Sequence, residues 1–196
     1  MNTLFVWIPL GYLIGGLSTS IIISRSFKLK DPRTSGSHNP GTTNMLRLNG
    51  PLYAALTLSG DLLKGILLLL LAQSLSLNLE ALCLIAFSVF IGHLFPIYYA
   101  FKGGKGVAVA LSILCVLSPV LAIIGLCTWL MIAGLTRYSS LAAIITAPCI
   151  TFISMFFNAS EITWLLCSIS TLLLFKHRTN IHQLRLGTEP KIKLRK

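Results

Sequence analysis

Three polar segments interrupt an otherwise apolar chain, and each carries residue types that bind anions. They cover residues 31–44, 92–106 and 177–181. Glycine lets backbone N–H groups approach a phosphate closely, Lys and Arg supply the opposite charge, and His and Ser donate or accept protons. If all three segments lie on one side of a membrane, they can form a single polar site that meets lipid-borne and water-borne substrates together.

The second segment is the most specific of the three. It contains Lys102-Gly103-Gly104-Lys105-Gly106, two lysines around glycines, directly before an apolar run. A helix N-terminus adds its dipole and free N–H groups, so this loop is predicted to bind an anion. It is not a Walker A loop, because Tyr99 and Gly106 stand where that motif needs a glycine and a Ser or Thr. The alternative is a basic membrane anchor with a flexible turn.

The first segment combines hydroxyl groups, glycines and a turn. Ser35-Gly36-Ser37 is followed by Asn39-Pro40-Gly41-Thr42-Thr43-Asn44, and Arg47 lies just beyond. Asn-Pro-Gly favours a tight turn, and the hydroxyl and amide groups can bind a substrate. The same residues are equally consistent with a polar connector that ends in a helix cap at Thr43 or Asn44.

The third segment begins at the end of the last apolar run. It contains His177, Arg178 and Asn180, and Glu189 follows after Gly187. His177 has the chemistry of a general base or of a hydrogen-bond donor to phosphate. As an alternative, the basic residues simply complement the dipole at a helix C-terminus.

Three ionisable residues fall inside apolar runs. Asp61 and Lys64 are three residues apart, so they can pair on one helix face, and we expect a structural ion pair rather than direct chemistry. His93 is a candidate for the site because ionisable groups inside membrane spans are usually functional, although packing roles occur. Pro96 is expected to kink this stretch and bring His93 nearer the membrane surface.

The composition is that of a membrane protein. The 196 residues are 55% hydrophobic and 11% charged, and the net charge of +11 lies mostly in the loops and the tail. Basic loops set membrane topology, so nucleic-acid binding is not expected. The five cysteines lie in apolar runs without metal-ligand spacing, which indicates neither disulfides nor a metal site. No basic residue precedes the first apolar run, which predicts a retained first helix with its N-terminus outside.

The apolar runs predict an all-α integral membrane protein with one membrane-embedded domain over residues 1–196. They are Leu4–Ile23, Pro51–Ala72, Glu80–Phe101, Val107–Leu135, Leu141–Phe157 and Ile162–Phe175. If Val107–Leu135 crossed the membrane once, the basic C-terminal tail would lie outside, against the positive-inside rule. A reversal at Ser118-Pro119 avoids this. We therefore predict seven transmembrane helices, two of them short, with a cytoplasmic C-terminus and all three polar segments cytoplasmic; five or six spans are the alternative.

The three segments together resemble the bacterial acyl-phosphate:glycerol-3-phosphate acyltransferase family of the PlsY type. Gly36 to Arg47 is similar to the family's Gly-Ser-x-Asn-Pro-Gly-x-Thr-Asn-x-x-Arg motif. Gly92 to Ala108 matches Gly-His-x-Phe-Pro followed by Phe-Lys-Gly-Gly-Lys-Gly-Val-Ala, and His177 to Glu189 matches His-Arg-x-Asn-Ile-x-x-Leu-x-x-Gly-x-Glu. The chain departs from the family pattern only at the motif edges, at Thr42, Val109 and Gln183.

The resemblance implies transfer of a fatty acyl group from acyl phosphate to the sn-1 hydroxyl of glycerol 3-phosphate. Lysophosphatidate and phosphate would result, as the first acylation of phospholipid synthesis, without a cofactor or a metal. It also implies a multi-pass protein of the bacterial inner membrane whose partners are the two substrates and membrane lipids. The oligomeric state is left open, with a monomer as one possibility. The main alternative is a transporter of phosphate or a sugar phosphate, and a lipid-binding scaffold is a second.

The resemblance also assigns roles to residues. His177, Asn180, Ser37 and Arg47 are the expected catalytic residues. The expected substrate-binding residues are Ser35, Gly36, Asn39, Gly41, Thr43, Asn44, His93, Lys102, Gly103, Gly104, Lys105 and Gly106. Asp61, Lys64, Arg178 and Glu189 are expected to support the site. The general base is either His177 or an oxygen of the acyl phosphate, and which segment holds which phosphate is open.

Overall fold

The computed structural model describes residues 2–157 and 160–192. Residues 158 and 159 of a predicted outer connection, and Lys193, Arg195 and Lys196 of the basic tail, lie outside the described residues. Within these ranges the chain forms ten α-helices, one 3₁₀ turn and no strand. The helices are α1 Asn2–Gly16, α2 Thr19–Ser26, α3 Thr42–Asn49, α4 Pro51–Gln73, α5 Leu79–Leu94, α6 Val107–Leu117, α7 Pro119–Thr136, α8 Ser139–Ser154, α9 Ser160–Lys176 and α10 Arg178–Arg185.

The first apolar run is two helices rather than the single predicted span. The axes of α1 and α2 differ by 46°. Gly15 packs directly against α5, where an added Cβ would lie 2.1 Å from the carbonyl oxygen of Val89. The break leaves the carbonyl oxygen of Leu17 free of the helix, and that oxygen accepts a hydrogen bond from Lys64 Nζ at 3.0 Å.

The third apolar run also ends earlier than predicted. The helix α5 stops at Leu94 instead of continuing to Phe101, and a 3₁₀ turn follows at Ile97–Tyr99. Pro96 causes this, because proline disfavours helical backbone in the residue before it and cannot donate to the helix ladder. His93 therefore lies in the last turn of α5, at the start of the second polar segment.

The break in the long apolar run is confirmed at Ser118, between α6 and α7. Pro119 opens α7 at the first helical position, where proline is well tolerated. Leu111 of α6 and Leu130 of α7 line the same cavity, although a continuous helix would separate them by about 28 Å. The chain therefore reverses direction at this break.

The most buried helix is α5, and α1, α4, α6 and α9 pack against it. Ile85, Val89, Phe90 and Leu94 of α5 have no exposed surface. Three described helices are long and apolar enough to cross a membrane, namely Pro51–Gln73, the segment Leu79–Tyr99, and Pro119–Thr136; the bent pair α1–α2 is a fourth candidate, and α6 and α8 are shorter apolar helices. Large apolar side chains such as Leu67 and Leu71 are exposed on α4. An exposed apolar surface of this kind fits an all-α protein embedded in lipid.

Candidate active site

The three polar segments meet at one cavity of about 370 Å³. It is lined by Ser37, Asn39, Gly41, Thr43, Asn44 and Arg47 of the first segment and its helix, by His93, Lys105 and Gly106 of the second, and by His177, Asn180 and Glu189 of the third. Asp61 of α4 also reaches it. The predicted convergence of the three segments is thus present in the structure, across more than 140 residues of sequence.

The beginnings of four helices face this cavity. They are Gly41–Thr43 at α3, Gly106–Ala108 at α6, Ser139 and Ser140 at α8, and His177 with Asn180 at α10. The first N–H groups of a helix have no partner inside the helix, and the helix dipole makes that end positive. These helix starts therefore favour an anion at the polar end of the cavity.

The sequence predicted the helix starts at α3 and α6, but it predicted the third segment only as the end of the last apolar helix, and the short helix α10 after His177 was not expected. Ser139 and Ser140 at the start of α8 were not predicted as site residues. Ser139 and Ser140 line the cavity, and the hydroxyl groups of Ser139 and Thr43 are hydrogen-bonded at 3.0 Å. The available signal was two consecutive serines directly before an apolar run, a pattern typical of a helix N-terminus. Their distance along the chain from the three recognised segments hid their role.

Lys105 belongs to a hydrogen-bonded chain across the cavity wall. Its Nζ donates to Asn180 Oδ1 at 2.5 Å, and Asn180 Nδ2 donates to both carboxylate oxygens of Glu189, at 2.9 and 3.0 Å. Ser140 Oγ donates to Glu189 Oε1 at 2.6 Å. Burial lowers the pKa of Lys105 to about 8, partly opposed by Glu189 and reinforced by Arg47. Lys105 is therefore mostly cationic at neutral pH.

Arg47 brings a second cation to the same end of the cavity. Its Nη2 donates to the carbonyl oxygen of Pro190 at 2.8 Å, whereas its buried Nε has no hydrogen-bond partner in the described part of the chain. Burial lowers the pKa of Arg47, and the nearby Glu189 partly offsets this effect. A half-buried guanidinium with an unused, buried Nε–H is a ready donor to an oxyanion.

His177 is held in one tautomer. Its ring is 2% exposed, and Nδ1 lies 2.8 Å from the carbonyl oxygen of Leu173. A carbonyl oxygen only accepts, so Nδ1 carries the proton and Nε2 is left as an acceptor. Burial, reinforced by the charge of Lys105, lowers the pKa of His177 to about 4. The imidazole is therefore neutral at physiological pH.

The first segment is shaped by the side chain of Asn44. Its Nδ2 donates to the carbonyl oxygens of Pro32, Ser35 and Asn39, at 2.9 to 3.1 Å, and its Oδ1 accepts from the backbone N–H of Ser37 at 3.0 Å. The amide of Asn44 is thus used to fold the loop rather than left for a substrate.

Two more residues of the first segment take part in this folding. Gly36 adopts a φ of +67°, and a Cβ there would lie 2.2 Å from Asn44 Oδ1. Ser35 offers its carbonyl oxygen to Asn44. Neither Gly36 nor Ser35 lines the cavity, so the structure does not bring these two predicted ligands to the site, whereas Ser37 and Asn39 do reach it.

The glycines of the second segment serve mainly close packing. A Cβ on Gly103 would lie 2.1 Å from the carbonyl oxygen of His93, and one on Gly104 would lie 2.2 Å from His93 Nε2. Gly103, Gly104 and the exposed Lys102 do not line the cavity, which differs from their predicted role as substrate ligands. Gly106 does line it, with a φ of +86° that starts α6.

The predicted ion pair between Asp61 and Lys64 is present at 2.9 Å, and both side chains are buried. Lys64 is not a lining residue of the cavity. The Arg178 guanidinium stacks over the ring of Phe175 at 4.7 Å, away from the cavity, which fits the alternative of a cationic helix end. Within residues 4–157 and 160–192, no three His, Cys, Asp or Glu side chains are grouped as a metal site.

The other end of the cavity is an apolar groove between α6, α7, α8 and α9. The residues along it are mostly aliphatic, and they are Leu111, Leu114, Leu126, Trp129, Leu130, Ala143, Ala147, Ile150, Leu166, Ile169 and Leu173. One continuous cavity therefore joins a cationic end to a hydrocarbon-like end. Such a cavity suits a molecule with an anionic head and an apolar chain.

The chain is similar to characterised proteins over nearly its whole length. A family model described as glycerol-3-phosphate acyltransferase matches residues 5–187. The glycerol-3-phosphate acyltransferase of Methylobacillus flagellatus is 44% identical over 194 residues, covering 94% of each chain. That of Coxiella burnetii is 39% identical over 187 residues, covering 95% of this chain and 97% of the relative.

Two crystal structures share the fold. One is PlsY (YgiH), an integral membrane glycerol 3-phosphate acyltransferase, in its glycerol 3-phosphate form, with a TM-score of 0.92 and 30% identity over 97% of this chain and 96% of the other. The second is its lysophosphatidic acid form, with a TM-score of 0.89 and 29% identity over 96% and 95% of the two chains. These similarities confirm the resemblance predicted from the three motifs and do not favour a transporter. The chain belongs to the glycerol-3-phosphate acyltransferase family.

Proposed function

We propose that this chain transfers a fatty acyl group from acyl phosphate to the sn-1 hydroxyl of glycerol 3-phosphate. One observation carries the proposal: a single cavity joins a cationic end, built by Arg47, Lys105 and four helix N-termini, to an apolar groove. Two phosphorylated molecules need several positive groups, and an acyl chain needs hydrocarbon. The relatives and the solved structures are named for acylation of glycerol 3-phosphate, which supports the same reaction class.

The chemistry requires no covalent enzyme intermediate. Acyl phosphate is a mixed anhydride whose leaving group is a stable phosphate. The sn-1 oxygen attacks the acyl carbonyl carbon, the bond from that carbon to the phosphate oxygen breaks, and lysophosphatidate and phosphate are released. Arg47, Ser37 and the free N–H groups of α3 stabilise the negative charge that develops on the carbonyl oxygen and the leaving phosphate.

His177 orients the attacking hydroxyl group. Its Nε2 accepts a hydrogen bond from the sn-1 hydroxyl, and Asn180 holds Lys105 beside the same molecule. With a pKa of about 4, His177 is a weak base at neutral pH. The hydroxyl donates to His177 Nε2 while the substrate binds; as the new carbon–oxygen bond forms, its proton passes instead to an oxygen of the departing phosphate, and the released phosphate carries it away.

The remaining parts of the proposal concern the membrane. The α1–α2 pair, α4, α5, α6, α7, α8 and α9 make seven crossings of one domain over residues 1–196, with the N-terminus outside and the C-terminus cytoplasmic. The positive-inside rule supports this orientation, because the basic residues gather at the cavity end of the helices. The cavity then opens toward cytosolic glycerol 3-phosphate at the inner face of the bacterial inner membrane.

The identity of the acyl donor is tested with purified protein in lipid. Palmitoyl phosphate and labelled glycerol 3-phosphate should give labelled lysophosphatidate and one phosphate per turnover, whereas palmitoyl-CoA should give none. Product formed equally well from palmitoyl-CoA would contradict the acyl phosphate donor. Uptake of glycerol 3-phosphate into liposomes without lysophosphatidate formation would instead select the transporter.

A further inference from the structure

A buried group of charged and polar side chains lies beside the site and has no role in the reaction as described so far. Lys64 Nζ donates to the carbonyl oxygen of Leu17 at 3.0 Å, to Asp61 Oδ1 at 2.9 Å and to His93 Nδ1 at 2.9 Å. Asp61 Oδ1 also accepts from Thr19 Oγ1 at 3.0 Å. An ammonium group has three N–H bonds, so Lys64 is fully satisfied by groups from three parts of the fold.

This arrangement fixes the tautomer of His93. An ammonium group only donates, so His93 Nδ1 must accept and the ring proton must be on Nε2. The ring is 6% exposed and lines the cavity. His93 thus presents an N–H donor where His177 presents an acceptor, because the two imidazoles are bound through Nδ1 to opposite kinds of partner.

The His93 ring lies against the backbone that carries Lys105. Its Nε2 would be 2.2 Å from a Cβ on Gly104, and the carbonyl oxygen of His93 accepts from the backbone N–H of Gly104 at 3.1 Å. The Nε2–H donor is therefore held against the backbone of the residue that precedes Lys105. Because both side chains line the same cavity, one bound anion can accept hydrogen bonds from both.

We propose that the Asp61–Lys64 pair holds His93 as an Nε2–H donor to the phosphate group of glycerol 3-phosphate. This inference rests on the proposed function and assigns the two ends of that substrate. Phosphate oxygens only accept hydrogen bonds, so they fit His93, whereas the sn-1 hydroxyl needs an acceptor and fits His177. Lys64 and Asp61 act through His93 and are positioning residues.

The role of His93 as a hydrogen-bond donor to the phosphate group is tested with two substitutions. In His93→Gln the longer amide places an N–H near the original Nε2, whereas in His93→Asn the amide reaches only the Nδ1 position and keeps the bond to Lys64. We expect His93→Asn to raise the KM for glycerol 3-phosphate by about 10-fold or more, because one hydrogen bond to a charged group is lost. The kcat of this variant should stay within a few-fold of the wild-type value. His93→Gln should stay within about 3-fold of the wild-type KM. Equal KM values for the two variants would overturn the inference.

The positioning role is tested on a charge-neutral background. Lys64→Met alone leaves Asp61 as a buried unpaired carboxylate and can unfold the protein. The double variant D61N/K64M removes both charges and should raise the KM for glycerol 3-phosphate at near-normal kcat, while D61N/K64Q, which keeps a neutral donor to His93, should recover most of the affinity. A purely structural pair would lower the amount of folded enzyme in both double variants without changing KM, and that result would refute the proposal.

The same order of affinities is measured without turnover. Calorimetric titration of the purified proteins with glycerol 3-phosphate should rank wild type and His93→Gln above His93→Asn, and D61N/K64Q above D61N/K64M. The titration reports the role of His93 even if no lysophosphatidate forms from acyl phosphate. A failure of acyl transfer from acyl phosphate can therefore be told apart from a failure of the His93 assignment.

Discussion

Two histidines in one cavity differ because of what each binds through Nδ1. His177 donates to the carbonyl oxygen of Leu173, and His93 accepts from Lys64. Sequence alone gives both residues the same chemistry, since the difference lies in partners that are 4 and 29 residues away. The residue types of the site were predictable from the three motifs, but the direction of each hydrogen bond was not.

The role of His177 is tested by its conservative replacement. His177→Gln keeps an acceptor in the cavity but cannot act as an imidazole base, so turnover should remain within about 10-fold of wild type, less than the 10²–10⁴-fold expected from loss of a general base. Because the pKa of His177 is about 4, its ionisation should not appear between about pH 6 and 9 in wild type, and the pH profile of His177→Gln should have the same shape over this range. Turnover is measured across this range with saturating substrates. A loss of 10³-fold in His177→Gln would show that His177 is the base.

Lys105 is expected to give the KM for glycerol 3-phosphate a pH dependence that His177 does not give. Its pKa is lowered to about 8, so the ammonium is present below that pH and is lost as the pH rises through it. The KM for glycerol 3-phosphate should therefore rise above about pH 8 in wild type. Lys105→Ala should have a KM about 10- to 100-fold higher at neutral pH, with no further rise, because a hydrogen bond to a charged group is lost. A raised KM for acyl phosphate instead would reverse the assignment of the two phosphates.

Asn44 is expected to contribute to stability more than to catalysis. Asn44→Ala removes four hydrogen bonds that fold the first segment. The free energy of unfolding should therefore fall by about 2–4 kcal/mol. Asn49→Ala is the matched control, because Asn49 makes one backbone contact, to the carbonyl oxygen of Lys30. Thermal unfolding in detergent should show a drop of several degrees for Asn44→Ala and little change for Asn49→Ala. Equal melting temperatures would contradict this role.

At the scale of elements, proline positions were the best guide to helix ends. Pro96 and Pro119 mark the end of α5 and the start of α7. The break between α1 and α2 has no proline; it depends on Gly15 packing against α5 and on Lys64 binding the freed carbonyl oxygen of Leu17. These are tertiary contacts that local sequence does not reveal, and the first helix was therefore predicted to continue without a break to Ile23.

The apolar groove predicts a determinant of acyl-chain length. Gly125 of α7 lines the groove, and a Cβ there would face Ile150 of α8 at 3.4 Å, in ordinary contact. Gly125 and Ile150 each lie about 16 Å from the polar end of their helices. An all-trans chain covers this distance in about 13 bonds, at about 1.2 Å per bond.

Gly125→Leu should therefore exclude the end of a long acyl chain, beyond about the thirteenth carbon. Activity with acyl phosphates of about 16 carbons should fall about 10-fold or more, because overpacking costs about 1–3 kcal/mol. Activity with chains of about 8 carbons should stay near the wild-type value. Gly134→Leu is the control on the same helix, since a Cβ on Gly134 has nothing within 4 Å and Gly134 does not line the cavity. The ratio of kcat/KM for the two chain lengths is the readout. An unchanged ratio in Gly125→Leu would mean that the chain leaves the groove before it reaches α7.

At the scale of the whole molecule, the C-terminal strap of residues 188–192 ties together the elements at the polar end of the cavity, where Glu189 is a lining residue. Glu189 binds Ser140 and Asn180, the carbonyl oxygen of Pro190 binds Arg47, and Ile192 exchanges hydrogen bonds with Arg137. Family resemblance alone predicted a supporting role for Glu189. The partners of the whole strap come from α3, α8, α10 and the end of α7, so their assembly depends on the folded bundle.

The bundle places the polar segments at one end, and the proposed topology puts that end in the cytoplasm. A variant without its five native cysteines, carrying either Ser118→Cys or Arg137→Cys, tests this with a membrane-impermeant maleimide on intact cells. The cysteine introduced at position 118, at the α6–α7 reversal, should be labelled from outside. The one at position 137 lies between α7 and α8, beside Ser139 and Ser140 of the cavity, and should be labelled only after the membrane is opened. Labelling of the position 137 cysteine in intact cells would put the α8 helix start outside, away from cytosolic glycerol 3-phosphate, and the proposed orientation would be wrong.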